Sequence, residues 1–315
     1  MVCALAAGCT ASPDAQGSVP SDVGSEAAGA QPSPGPDSVR LMEALSVLAH
    51  DSMEGRAVGT TGNEQARAFL VRELEAAGVE PLGASFEHPF TWDGGERAGV
   101  NVVGRIEGPG PSLIVLSAHF DHLGIREGEI FNGTDDNASG TAVVLEIARL
   151  VAATPLRSTL VIALFDAEEA GLGGARAFVS HPPLPLSGST LNVNLDMVSR
   201  TDGVLWAAGA HHTPALRPIL ERVAADAPVT LRLGHDRPGA PEGDDWTGAS
   251  DHGPFHDEGI SFVYFGVEDH PDYHRATDDY DRIDPAAFVA AARTIYAAIR
   301  ALDSALPLPE TDDPR

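Results

Sequence analysis

Lysine does not occur in this chain of 315 residues. All 20 basic side chains are arginine, set against 46 Asp and Glu, and the formal charge is −26. A phosphate backbone would be repelled by such a chain, which argues against nucleic acid as a partner. Docking through a basic face onto an anionic membrane is disfavoured for the same reason. Cysteine is confined to Cys3 and Cys9. From residue 39 onward a disulfide scaffold, a cysteine zinc site and a thiol nucleophile are therefore excluded. No run of 18 or more apolar residues occurs, so no segment reads as a membrane-spanning helix. A G-x-S-x-G elbow is also missing, which argues against a serine hydrolase of the α/β type. What is present is a length suited to one large domain or two modest ones, and 43% hydrophobic residues, enough for a sizeable core.

The first residues, "MVCALAAGCT", place Ala4–Gly8 before Cys9 and resemble a bacterial lipobox, small residues leading to a lipidated cysteine. Ala6 stands where Leu is usual, and no basic residue precedes the short apolar run. Of the 29 residues from 10 to 38, 20 are Ala, Gly, Pro or Ser and none is aromatic. Such a segment cannot bury enough apolar surface to order itself and reads as a tether spanning about 30 Å. The expected organisation is a lipoprotein-signal remnant and tether over 1–38, a catalytic domain over 39–305 and a loose tail over 306–315. The chain would then be extracytoplasmic, held to a bacterial membrane through a lipid on Cys9, or secreted.

Periodicity predicts helices over Ser38–His50, Gly62–Gly78, Asn137–Ala153, Gly173–Ser180 and Ala286–Leu302. Between them lie apolar runs that read as strands: Val100–Ile106, Ser112–His119, Ser158–Phe165, Thr190–Met197 and Ile260–Phe265. Continuous apolar strands separated by helices imply a sheet covered on both faces. The expected fold is α/β, one domain with a central mixed, mostly parallel twisted sheet and helices on both sides.

Ligands in such sheets bind beyond the carboxyl ends of the strands. His119 and Asp121 follow the second strand, Asp166, Glu168 and Glu169 the third, and Asp196 ends the fourth. His270, Asp272, Tyr273 and His274 follow the fifth, while Asp135 and Asp136 precede a helix. Each fragment has an ordinary reading: an Asp pair before a helix is an N-cap, and a Glu pair is a solvated first turn. Asp196 is harder to dismiss, because a carboxylate among strand residues is costly to bury unless paired or metal-bound. Histidine and carboxylate converging on one sheet edge suit Zn²⁺ or a similar cation.

Taken in order, "SAHFDHLG" (117–124), "NGTDDNASGTA" (132–142), "FDAEEAGLGGARAFV" (165–179), "NLDM" (194–197), "SDHGPF" (250–255) and "HPDYHRATDD" (270–279) resemble metallopeptidase family twenty-eight. That family comprises leucyl and aminopeptidase Y-type zinc aminopeptidases and glutamate carboxypeptidase II. The stretch 51–70 also resembles it, and the likeness covers roughly residues 39–303. The resemblance implies two Zn²⁺ ions, with Co²⁺ or Mn²⁺ as substitutes. His119 and Asp196 would hold one ion, Glu169 and His274 the other, and Asp135 would bridge both, with a water between the metals as nucleophile. It further implies a cis peptide between Asp135 and Asp136. Glu168 would take the water proton and return it to the leaving amine. The Asp121 carboxylate would orient the His119 ring. The Tyr273 hydroxyl would stabilise the oxyanion, or the ring would simply be structural.

After His274 the family shows Thr-Pro and then Asp-Thr, where this chain has Arg275–Ala276–Thr277–Asp278. The 78 residues from Asp196 to His274 are short for an inserted lid or dimerisation domain, so a compact monomer is expected. Ser250–Asp251–His252 is not a catalytic triad, since triad members converge from separate places, and it reads as a loop shaping the pocket. His211–His212 and Asp244–Asp245–Trp246 read as surface loops. Glu54–Gly55–Arg56 reads as a buried ion pair or a wall of the cleft. The expected activity is aminopeptidase action on peptides. The alternatives are a carboxypeptidase, which would need clustered Arg such as Arg200, Arg232 and Arg237, a glutaminyl cyclase, or a non-catalytic binding lipoprotein.

Overall fold

The computed structural model describes residues 35–309, except 187 and 242. The lipid site expected at Cys9, the tether as far as residue 34 and the tail from residue 310 lie outside the described residues. Residues 35–38, expected in the tether, already belong to the domain. Pro36 is buried, and the Asp37 main-chain N–H donates to Glu146 Oε1 at 2.7 Å. At the other end Leu306 is buried and Leu308 packs on the core, so the domain runs past residue 305.

The chain opens with α1 (Ser38–Leu48), a 3-10 segment at Asp51–Arg56 and α2 (Thr61–Ala76). Three strands follow, β1 (Glu80–Pro81), β2 (Glu87–Trp92) and β3 (Arg97–Ile106), and then β4 (Leu113–His119). A small hairpin, β5 (Gly124–Arg126) and β6 (Glu129–Phe131), precedes a π turn at Thr134–Ser139 and α3 (Gly140–Ala153). Next come β7 (Thr159–Phe165), α4 (Gly173–Ser180), β8 (Thr190–Leu195) and β9 (Val204–Ala208). The chain continues through α5 (Arg217–Asp226), β10 (Thr230–Leu233), α6 (His252–Asp257) and β11 (Ser261–Gly266), and α7 (Pro285–Ala305) closes the domain.

Among the described residues nine strands form one sheet in the order β1-β3-β7-β4-β8-β11-β9-β10, with β2 also paired to β3. The centre, β7-β4-β8-β11, is parallel. Its flanks turn antiparallel at β3–β7 and β11–β9. Period-two alternation sorts each central strand. Leu160, Ile162 and Leu164 of β7 join the larger core with α1, α2, α3, α5 and α7, while Val161, Ala163 and Phe165 meet Phe178 of α4 and Phe255 of α6. The α4 face also carries a buried polar line: Asn192 Nδ2 donates to Ser117 Oγ (2.9 Å), Ser117 Oγ to Asn194 Oδ1 (2.7 Å), and Asn194 Nδ2 to Ser250 Oγ (2.9 Å). This ladder satisfies polar groups that would otherwise be costly at the sheet centre, and it ties the Ser250 loop to β8.

Helix α7 is long and apolar enough to cross a membrane by composition, but it is the core helix of this domain, with Phe288, Ile295, Ile299 and Leu302 fully buried. Its N-cap is Asp284, whose carboxylate accepts from Ala286 N (2.8 Å) and Ala287 N (3.4 Å). Replacing Asp284 by Ala is expected to cost about 1 kcal/mol, a fall in Tm of about 2–4 °C for a domain of this size. Calorimetric melting checks this.

Candidate metal centre

The carboxyl ends of the four parallel strands deliver the chemistry. His119 is the last residue of β4, Asp196 follows β8 directly, Glu168 and Glu169 lie in the turn after β7, and His274 lies in the loop after β11. His119 Nε2 lies 3.2 Å from Asp196 Oδ1 and 3.3 Å from Asp136 Oδ1. His274 Nε2 lies 3.1 Å from Asp136 Oδ2 and 3.4 Å from Glu169 Oε2. Asp136 thus turns one carboxylate oxygen toward each histidine.

This corrects the expectation for Asp135. Its side chain is turned away and fully buried, where Oδ1 accepts from the main-chain N–H (2.7 Å) and hydroxyl (2.6 Å) of Ser199, and Oδ2 lies 3.2 Å from His270 Nε2. Asp135 therefore anchors the chain just after Asp196. The cis peptide lies at Asp136–Asn137, one bond beyond the expected place. The Asp278 carboxylate accepts from the N–H groups of Asp135 (3.0 Å) and Asp136 (3.1 Å). Burial, with the neighbouring Asp135 charge, pushes the Asp278 carboxyl up to about 6. At Gly133, with φ of +53°, any Cβ would collide with the Asp136 carbonyl and the His122 ring, so only glycine fits.

Asp121 also acts differently from the sequence-based expectation. His119 Nδ1 lies 3.2 Å from the Asp121 main-chain oxygen but 3.7 Å from its carboxylate. A carbonyl only accepts, so in the neutral ring Nδ1 carries the proton and the Nε2 lone pair faces Asp136 and Asp196. The Asp121 carboxylate instead accepts from Glu168 N at 3.0 Å and so fixes the turn that carries Glu168 and Glu169. Tyr273 lines the cleft with its ring stacked on His274, centroids 3.9 Å apart.

Arg56 has no exposure and, among the described residues, no carboxylate in direct contact, so of the two expected readings, ion pair or cleft wall, the ion pair is corrected. Its guanidinium donates to four main-chain carbonyls, those of Phe120 (2.7 Å), Leu48 (2.6 Å), Asn132 (2.6 Å) and Gly133 (2.9 Å). Burial pushes it down to about 10, opposed by Asp121, Asp136, Asp278 and Glu169, so it stays cationic at neutral pH. It joins the residue after His119 to the segment that leads into Asp136.

Sequence reasoning gave His122 no role, assigned the bridge to Asp135 and not to Asp136, and read Arg56, Asp251 and Asp278 only as parts of wall or loop segments. His122 offered a signal, its spacing of three from His119. Its Nδ1 lies 2.6 Å from Glu169 Oε1 and 3.7 Å from Asp136 Oδ2. Asp251, in the loop held by Asn194, is fully buried, and among the described residues neither of its carboxylate oxygens has a hydrogen-bond partner. Burial pushes its carboxyl up to about 7, opposed by His119 and reinforced by Asp196. Burial also raises Glu168 well above the usual carboxylate range, opposed by His119, with Asp196, Asp251 and Asp121 adding like charge.

The donors fit a cation. Ligand-capable atoms of His119, Glu168 and Asp196 lie within 4.8 Å of one another, as do those of His122, Asp136 and Glu169. His122 Nδ1 and Nε2, Glu169 Oε1 and Asp121 Oδ2 are buried with no properly aligned hydrogen-bond partner, although such atoms are normally paired. Two histidines, His119 and His274, on either side of the Asp136 carboxylate are ligand types that zinc takes. By contrast, Asp166 is engaged structurally by Asn63 (2.9 Å) and Val100 N (3.0 Å). His211 is exposed, and His212 contacts Thr247.

A sheet that gathers histidines and buried carboxylates at the carboxyl ends of its central strands defines a metal-binding α/β protein. Comparison with known families narrows the class: the model for Peptidase family M28 matches residues 101–299, and the chain belongs to that family. Aminopeptidase YwaD of Bacillus subtilis is 30% identical over 198 residues, which cover 60% of this chain and 41% of YwaD. The probable lipoprotein aminopeptidase LpqL of Mycobacterium tuberculosis is 26% identical over 294 residues, 83% of this chain and 58% of LpqL. The chain therefore spans less than two thirds of these relatives. Among solved structures, Porphyromonas gingivalis glutaminyl cyclase superposes with a TM-score of 0.70 at 20% identity, covering 86% of this chain and 99% of the cyclase.

Proposed function

We propose that the chain is a di-zinc aminopeptidase. The observation that carries this reading is the Asp136 carboxylate, with Oδ1 toward His119 and Oδ2 toward His274. His119, Asp196 and Asp136 would hold one ion, and Glu169, His274 and Asp136 the other, with His122 supporting Glu169. When bound, the two ions lower the pKa of a water and polarise the scissile carbonyl. Glu168, within ligand distance of His119 and Asp196, takes the proton of the attacking water and gives it to the leaving amine. Asp121 holds Glu168 in place through the main-chain N–H. Tyr273, which lines the cleft, would donate to the oxyanion. The negative side chains around the cleft favour a substrate with a free amino group. Arg200 is held by Asp272 at 2.6 Å and Arg232 lies on the Trp206 ring, so neither supports a carboxypeptidase. The reading also includes a monomeric, extracytoplasmic protein anchored through Cys9, supported by the first ten residues and by the likeness to LpqL.

The test uses purified protein, aminoacyl-p-nitroanilides with and without an acetylated amine, and metal counting. Two zincs per chain with cleavage of free-amine substrates alone supports the proposal. One zinc with cyclisation of amino-terminal glutamine would point to the cyclase. Asp136→Asn is expected to lose bound zinc and to drop kcat/KM more than about a hundredfold, beyond what loss of an outer-shell group costs. Asp135→Asn is expected to keep both ions. The reverse pattern would restore Asp135 as the bridge. Adding zinc to metal-free protein is expected to raise stability by about 4 kcal/mol per ion at a thousandfold excess over Kd, read as a rise in Tm.

A further inference from the structure

Beside the metal cleft lies a second, larger cavity. The cleft measures about 290 Å³ and the cavity about 770 Å³, and Gly171 lines both. The cavity is walled by the edge strand β2 through Trp92 and by α4 through Phe178 and Arg176. The turn Glu168–Leu172, closed by Gly171 N and Leu172 N donating to Glu168 O (both 2.8 Å), separates the two spaces. A Cβ built on Gly171 would meet nothing within 4 Å, so the ridge between them is low and open.

The cavity differs from the cleft in its charged groups. Its ionisable lining residues are Arg176, His88, His181 and Asp93, and the Asp93 carboxylate faces Arg97 at 3.5 Å. With Asp93 facing Arg97, Arg176 is the charged group of the lining left open, next to a carboxylate-rich cleft. Arg176 Nε donates to Gly171 O at 3.3 Å, which brings the guanidinium to the ridge, and among the described residues its Nη groups have no partner. A fixed guanidinium with open donors is a site for a carboxylate.

We propose that this cavity is the subsite for the carboxyl end of a short peptide substrate, with Arg176 as its carboxylate anchor. The inference rests on the aminopeptidase reading of the neighbouring cleft. Gly171 N donates to Glu168 O and Arg176 Nε to Gly171 O, so the guanidinium stands one turn from Glu168, and an extended peptide that advances about 3.3–3.6 Å per residue from the cleft across Gly171 meets it after a few residues. The preferred substrate class is therefore tri- and tetrapeptides with free carboxyl termini rather than long chains.

Initial rates of Leu-Gly-Gly and its carboxyl-terminal amide, with leucine p-nitroanilide as a third substrate, test this on the zinc-loaded protein. The free acid is expected to exceed the amide about tenfold in kcat/KM, carried by KM. Arg176→Ala should abolish that preference and Arg176→Glu should reverse it, while p-nitroanilide cleavage stays unchanged. Arg176 is exposed on α4, so both variants are expected to fold. Equal rates for acid and amide, or a preference that survives Arg176→Ala, would overturn the subsite and leave the aminopeptidase reading intact. Cleavage of none of the three substrates would overturn both.

Discussion

Glu168→Gln is expected to lower kcat about 10²–10⁴-fold while both zincs remain bound. The substitution keeps the shape of the side chain and removes its ability to take a proton. The loss should appear in kcat rather than KM, because the proton moves only in the reaction and not in substrate binding. Metal content separates this outcome from ligand loss: two ions per chain with little turnover marks a base, whereas a drop to one ion makes Glu168 a ligand. The second result has a structural precedent here, since Glu168 shares its 4.8 Å neighbourhood with His119 and Asp196. Asp121→Ala should reproduce a milder form, because it leaves the carboxyl group but frees the turn that Asp121 holds at Glu168 N. Wild-type kcat in Glu168→Gln would remove Glu168 from the mechanism.

Arg56→Leu is expected to destabilise the domain by about 3–5 kcal/mol, as breaking a buried charge network does. The four carbonyls bound by Arg56 belong to three separate segments, the end of α1, the residue after β4 and the approach to the π turn. An apolar side chain takes the guanidinium donor from all four, although Gly133 O keeps the Ala138 N–H, and each carbonyl left unsatisfied costs about 1–3 kcal/mol before relaxation. Tm should fall by about 6–20 °C at about 2–4 °C per kcal/mol. Arg56→Lys should be nearly as damaging, because a point ammonium cannot reproduce the planar fork across four acceptors. Zinc affinity is expected to fall alongside, since the anchored segments carry His119 and Asp136. A melting temperature within a degree or two of the parent would show that water replaces the guanidinium and that Arg56 is dispensable.

The family and most of the sheet could be read in advance because they depend on local pattern. Apolar runs such as "STLVIALF" have one stable use in a chain this size, a strand buried on both faces, and the residues that end them fall on one edge by topology alone. The strands β2, β9 and β10 escaped notice for a physical reason: β2, "EHPFTW", alternates exposed and half-buried positions at a sheet edge and contains a proline. Its importance is tertiary, since it brings Trp92 beside α4 and so makes the second cavity.

By itself the sequence determined the parallel centre, the strand ends that carry His119, Glu168, Glu169 and Asp196, and the loop that carries His274. Only the tertiary structure decided between Asp135 and Asp136. Adjacent carboxylates in a turn are equivalent as letters, and they become different when the chain sends one side chain to Ser199 and the other between two histidines. It likewise decided that the Asp121 carboxylate serves Glu168 by accepting from the Glu168 main-chain N–H, and that a single arginine, Arg56, holds four carbonyls together. Such roles depend on which buried groups lack a partner, and that is settled by packing in three dimensions rather than by spacing along the chain.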